Sequence, residues 1–124
     1  AQTVGALEAL GECDLVIIHI EAPDEAAHEG SVEGKVAAIE HVDREVVGHL
    51  RSYRADDLAV LVMPDHPTPV TVRTHSADPV PFMLWGGGFT GKGVTAFTEA
   101  EAKRTGVFID PGYKIMGRLI GGGA

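Results

Sequence analysis

Cysteine is nearly missing: Cys13 is the only one in 124 residues. No disulfide can form within the chain, and a reducing compartment, the cytoplasm, is the expected setting. Positive charge is also scarce. Ten Lys and Arg stand against eighteen Asp and Glu, a formal net charge of −8, and the ten are scattered, which argues against a nucleic-acid backbone as partner. No apolar run approaches the length of a bilayer span, and no basic region followed by an apolar stretch opens the chain, so neither a membrane partner nor export is expected. There is no internal repeat and no low-complexity block beyond small glycine clusters at Gly86 to Gly88 and Gly121 to Gly123.

What remains is the composition of an ordinary folded domain, 44% hydrophobic and 23% charged, long enough for one core and short for two. A small anionic ligand fits so acidic a chain only if metal ions supply local positive charge.

Along the chain the apolar pattern alternates between helix and strand. "TVGALEAL" reads as a helix ended by Gly11, and "LVIIHI" (Leu15 to Ile20) is an uninterrupted apolar run typical of a strand covered on both faces. Ser31 is a good N-cap. From there to about Tyr53, Val32, Val36, Ile39, Val46, Val47 and Leu50 recur at helical intervals, predicting a long amphipathic helix with Asp43 in its apolar stripe. "LAVLVM" (Leu58 to Met63) predicts a second buried strand that must stop at "PDHPTP", where three prolines remove donors and fix φ. "VPFMLWG" predicts a third strand with Trp85 in the core. A short helix with Thr98 as N-cap and Gly106 as terminator is expected over Thr98 to Gly106, and a last one from Pro111. The fold class is α/β, with a largely parallel sheet expected.

The six histidines carry most of the functional signal. His41 and His49 fall on the polar side of the long helix and read as solvated, and His19, inside a predicted strand, reads as packed. His28, His66 and His75 each follow a predicted strand. Asp24 and His28, in "APDEAAHEG", are four residues apart, the spacing that puts two side chains on one side of a helical turn. Asp65 and His66 sit just past a strand end, where open α/β sheets bind ligands. Asp24, His28, Asp65, His66 and His75 form a mixed nitrogen and oxygen set that suits Zn²⁺ or Mn²⁺ better than Ca²⁺ or an iron–sulfur centre, and five candidates exceed one catalytic site. Loops are also rich in Asp and His for local backbone reasons, so spacing alone leaves a turn reading open.

Other polar residues have simpler readings. Arg73 is a candidate for substrate phosphate because a guanidinium matches that geometry, and Lys35 reads as a solvated helix lysine. "WGGGFTGKG" lacks the order of a phosphate loop, since Gly93 rather than a hydroxyl residue follows Lys92, and it reads as a flexible connection.

"APDEAAHEG", "GKVAAIEHVD", "PDHPTPV" and "HSADPVPF" together resemble the C-terminal part of the archaeal-type cofactor-independent (2,3-bisphosphoglycerate-independent) phosphoglycerate mutases, within the alkaline phosphatase superfamily. The resemblance continues through "FTEAEAKRTG" and "PGYKIMGRLI". It implies a layered α/β/α domain and a centre of two divalent ions, Mn²⁺ first with Zn²⁺ or Co²⁺ as alternatives. Such a centre moves a phosphoryl group between positions of phosphoglycerate through a phosphoserine. By position, Asp24, His28 and His75 match the ligands of one ion, and Asp65 and His66 match part of the second.

Family members also carry an N-terminal segment that supplies a further Asp and the serine nucleophile, and an inserted domain. Ser31, Ser52 and Ser76 do not match the nucleophile, so residues 1–124 are expected to be the C-terminal portion of an incomplete catalytic domain. Two other readings stay open: a different phosphatase or phosphotransferase of the same superfamily, and a non-catalytic metal-binding module.

The chemistry accounts for the residue types. A phosphate monoester carries two negative charges and is a poor electrophile, so transfer needs cations that neutralise its oxygens and activate the attacking hydroxyl. Carboxylates bring charge to hold such ions, and neutral imidazoles add ligands without cancelling their field.

Overall fold

Pro23 stands near the start of a helix and two acids, Asp24 and Glu25, complement the positive end of its dipole; this is α2 (Ala22–His28). The computed structural model describes residues 2–53, 57–91 and 93–122. The chain divides into two units, Ala1–Arg54 with Thr68–Ser76, and Ala55–Pro67 with Ala77–Ala124.

In the first unit, α1 (Gln2–Ala9) matches the first predicted helix. The 15–20 run that follows is not a strand: it is extended, without a ladder partner among the described residues. Val16, Ile18 and Ile20 are half-buried, while Leu15 and Ile17 on the alternate face are exposed. An apolar run shows that both faces favour cover; it does not supply the neighbouring strand. His19, expected to be packed, is exposed beside Glu21, 3.8 Å away.

Glycine at position 30 makes the turn out of α2. Gly30 has φ +76°, its N–H donates to the carbonyl of Ala27, and the N–H of Ser31 donates to that of Ala26. This is a Schellman motif, and it fixes His28 at the last helical position. Ser31 then caps α3 (Val32–Val42), its Oγ accepting from the N–H of Gly34 at 3.0 Å. Ala27 is fully buried, and Gly34 lies close to α2, with Ala26 within van der Waals reach of where a Cβ would stand.

The long predicted helix is continuous but not uniform. After α3 it widens into a π turn at Asp43–Val47, and resumes as α4 (Gly48–Ser52). The N–H of Gly48 reaches back to the carbonyl of Asp43, and the carbonyl of Glu45 accepts from the buried hydroxyl of Thr3 at 3.1 Å. Asp43 is exposed, as are His41 and His49. The apolar stripe is less buried than its period suggests: Val32, Val36 and Ile39 are all exposed, because α2 packs on the small-residue side of α3.

In the second unit, β1 (Ala59–Val62) and β2 (Met83–Gly86) pair antiparallel, Val60 opposite Trp85 and Leu61 opposite Leu84. The sheet among the described residues is this pair, so the largely parallel sheet expected from the sequence is not seen there. No helix lies between the two strands, and a parallel return needs such a crossover. The fold class, α/β, stands.

After β2 the glycine cluster is a defined turn, Gly86, Gly87 and Gly88 all having positive φ and Phe89 donating back to Gly86. A Cβ on Gly86 would run into the carbonyl of Leu58, so the residue must be glycine. Lys92 of the same motif lies outside the described residues. Thr98 caps α5 (Glu99–Arg104), as predicted. The last helix, α6 (Lys114–Gly121), starts three residues later than expected, after a turn at 111–113, and packs on β1 with Ile115 buried. Among the described residues no helix is long and apolar enough to cross a membrane.

Candidate metal centre

Asp24 and His28 lie one turn apart on α2, as their spacing predicts, with Asp24 Oδ2 3.3 Å from His28 Nε2. His75 comes to the same place from the segment that returns to this unit. Its Nε2 is 3.2 Å from His28 Nε2 and 3.6 Å from Asp24 Oδ1, and the two imidazole rings are tilted by 53°.

The orientation of His28 is set from behind. Its Nδ1 is 2.9 Å from the main-chain carbonyl of Arg73. A carbonyl oxygen only accepts, so Nδ1 carries the proton, and Nε2 is the ring nitrogen turned toward Asp24 and His75. This is the arrangement in which a metal-ligating histidine is ordinarily held.

The Arg73 carbonyl reaches that place through an unusual backbone. Val72 and Arg73 both donate to the carbonyl of Pro69, closing a turn, and Arg73 has φ +58°, the one non-glycine residue with positive φ among the described residues. Its guanidinium lies over Gly30, where a Cβ would collide with it. Gly30 therefore serves twice, ending α2 and making room for Arg73.

Asp24 is also held from behind. Thr68, only 4% exposed, donates its hydroxyl to Asp24 Oδ1 at 2.5 Å, and the carbonyl of Thr68 accepts from Lys35 Nζ at 2.7 Å. Thr68 does not stand out in the sequence, and Lys35, which its helix position predicts to be solvated, is half-buried and bonded. A signal was available in "PDHPTP": a hydroxyl residue between two prolines, in a loop with candidate ligands, is a pre-set donor.

A tetrahedral ion with ligands at about 2.0–2.1 Å separates those ligands by about 3.3–3.4 Å. The 3.2 Å from His28 Nε2 to His75 Nε2 and the 3.3 Å from His28 Nε2 to Asp24 Oδ2 have that size, while His75 Nε2 lies 3.6 Å from the other carboxylate oxygen, Oδ1. Asp24, His28 and His75 are 36%, 41% and 51% exposed, open to an ion and a substrate. The donor set, two nitrogens and a carboxylate, could hold one divalent cation of the Zn²⁺ or Mn²⁺ type.

Asp65 and His66 belong to the second unit, past the end of β1. Asp65 accepts from the N–H of His66 at 3.1 Å, and His66 Nε2 is 3.3 Å from Asp65 Oδ2. Asp65 is well exposed at 71%, His66 less so. Of the sequence candidates, then, Asp24, His28 and His75 converge in one unit, Asp65 and His66 adjoin each other in the other, and Arg73 packs on Gly30.

The chain is similar to known proteins over most of its length. A 2,3-bisphosphoglycerate-independent phosphoglycerate mutase of Methanothrix thermoacetophila is 50% identical over 120 residues, which cover 94% of this chain and 31% of that protein. One from Methanosarcina mazei is 41% identical over 122 residues, covering 93% of this chain and 30% of the relative. A solved structure of a protein from Pyrococcus horikoshii superposes with a TM-score of 0.79 at 33% identity, over 84% of this chain and 32% of that one. The chain thus spans about three tenths of the length of these relatives. A family model described as the Metalloenzyme superfamily matches residues 1–118, the stretch that contains every candidate ligand, and the chain belongs to that superfamily.

Proposed function

We propose that this chain is the C-terminal portion of the metal-dependent catalytic domain of a cytoplasmic, glycolytic 2,3-bisphosphoglycerate-independent phosphoglycerate mutase, which interconverts 3-phosphoglycerate and 2-phosphoglycerate. The observation that carries this reading is the convergence of Asp24, His28 and His75 at ligand spacing in a chain half identical to a protein of that name. In this reading the three residues hold one divalent ion, and Asp65 and His66 contribute to a second. Mn²⁺ is the proposed metal, although the same donors accept Zn²⁺ and Co²⁺.

Bound there, the ions supply positive charge against the phosphoryl oxygens and lower the pKa of an attacking hydroxyl. Three residues of this chain have a part in that. His28 keeps its proton at Nδ1, on the Arg73 carbonyl, so that Nε2 is a donor of electrons. Asp24 brings negative charge and is oriented by Thr68. Arg73, an exposed residue whose guanidinium lies over Gly30, is the candidate for the substrate phosphate. The phosphoryl group passes through a phosphoserine whose serine belongs to another part of the enzyme. In the whole enzyme the proposed architecture is the alkaline-phosphatase-like layered α/β/α domain with a largely parallel sheet. There the 15–20 run, apolar on both faces, is an interior strand.

A coupled phosphoglycerate mutase assay in Mn²⁺ buffer on the natural full-length protein tests this. Wild-type turnover is expected, and His28→Ala should lower it by more than about 10–100-fold, the loss that follows when only an outer partner of a metal ligand is removed. Turnover unchanged in His28→Ala would refute the role of this site. Hydrolysis without isomerisation would move the activity to another phosphatase of the superfamily, and metal binding without turnover to a binding role.

A further inference from the structure

We propose that Thr68 is a positioning residue for the Asp24 carboxylate, and that Lys35 fixes Thr68 for this task. The inference rests on the reading of Asp24 as a metal ligand and adds two residues to the site.

Both hydrogen-bonding ends of Thr68 are engaged. Its hydroxyl donates to Asp24 Oδ1 at 2.5 Å, the short range of an O–H bond to a charged oxygen. Its carbonyl accepts from Lys35 Nζ at 2.7 Å, and Lys35 stands on the first turns of α3, which Ser31 caps. Pro67 and Pro69 flank it, so the φ angles on either side are set and Thr68 itself is restricted to extended backbone. Almost none of the residue reaches solvent. A buried hydroxyl could be satisfied by any nearby carbonyl; here it meets the carboxylate that faces two imidazoles.

The consequence for Asp24 is directional. A carboxylate rotates readily about its last torsion, which is broad and roughly two-fold. With Oδ1 held by Thr68, the plane of the group is fixed and Oδ2 keeps its place 3.3 Å from His28 Nε2. His28 is fixed from behind by the Arg73 carbonyl in the same way, so Asp24 and His28 are both held in ligand orientation by bonds of this unit.

The test is Mn²⁺ affinity of the natural full-length protein, followed by the electron paramagnetic resonance of free and bound Mn²⁺, with circular dichroism as a check on folding. Thr68→Val removes the hydroxyl at nearly constant volume and is expected to weaken Mn²⁺ binding about 10–100-fold and to change the bound-ion spectrum, while Thr68→Ser restores both. Lys35→Met should weaken binding in the same direction but less. Unchanged affinity in a folded Thr68→Val, or a Thr68→Ser as weak as Thr68→Val, would overturn the inference while leaving the ligand reading intact. If Thr68→Val does not fold, Lys35→Met decides, and unchanged affinity there would overturn it. A wild-type protein that binds no Mn²⁺ would overturn the ligand reading and the inference together.

Discussion

The Nδ1 proton of His28 is donated to the main-chain carbonyl of Arg73, 2.9 Å away and forty-five residues along the chain. The donor sits at the end of a helix and the acceptor belongs to a residue in left-handed conformation, so two local irregularities meet in one bond. A residue other than glycine at φ +58° costs about 1–2 kcal/mol, which the turn onto Pro69 and the bond to His28 must offset.

From this follows a contrast at Arg73. Arg73→Gly keeps the carbonyl and relieves the backbone, so stability should change by less than about 1 kcal/mol and Mn²⁺ affinity should persist. Arg73→Val places a β-branched residue in the left-handed region and should cost about 1–2 kcal/mol or more while weakening Mn²⁺ binding. Denaturant melts with metal titration distinguish the two. Equal losses in both would show that the guanidinium, not the carbonyl, matters. If the guanidinium also holds substrate, Arg73→Gly will raise KM with metal affinity unchanged.

Gly30 faces two constraints that separate experimentally. Gly30→Ala must carry a Cβ both at φ +76° and into the Arg73 guanidinium. The guanidinium is the far end of an exposed side chain and can move, so the backbone should dominate, with a loss of about 1–2 kcal/mol. Gly30→Asn has a Cβ in the same place but tolerates left-handed backbone better, and is expected to recover much of that loss. Thermal melts of the three forms are sufficient. An Asn variant as unstable as Ala would instead make the contact with Arg73 the governing term.

How much of this was readable in advance differs by residue. The pairing of Asp24 with His28 was legible because four-residue spacing has one meaning on a helix, and Ser31 and Thr98 were legible as caps because capping is local. His75 entered through its place after a predicted strand and through resemblance, since nothing in spacing brings it to α2. Thr68 and Lys35 were missed because their bonds join positions thirty-three and forty-four residues apart, and neither residue type is unusual where it stands. The π turn at Asp43–Val47 left no mark that the period of Ile39, Val46, Val47 and Leu50 could reveal. The exposed Val32, Val36 and Ile39 and the run at 15–20, without a ladder partner among the described residues, show the limit of periodicity. It identifies surface that is better buried, but the partner that buries it is set elsewhere.

Metal addition and removal test the whole donor set at once. A ligand that binds only the folded state stabilises it by about 2.7 kcal/mol at a hundred times its Kd, so Mn²⁺ should raise the melting temperature of the natural full-length protein and EDTA should reverse the rise. If Asp24, His28 and His75 hold one ion and Asp65 and His66 help hold another, His28→Ala should lose part of that rise, Asp65→Ala another part, and the double variant nearly all. The order matters physically. His28 is oriented by a main-chain carbonyl and adjoins both Asp24 and His75, so removing it should also loosen those two ligands, and its loss should exceed that of the well-exposed Asp65. A double variant that keeps the full rise would place the ion on other residues and remove the basis for the metal centre proposed at Asp24, His28 and His75.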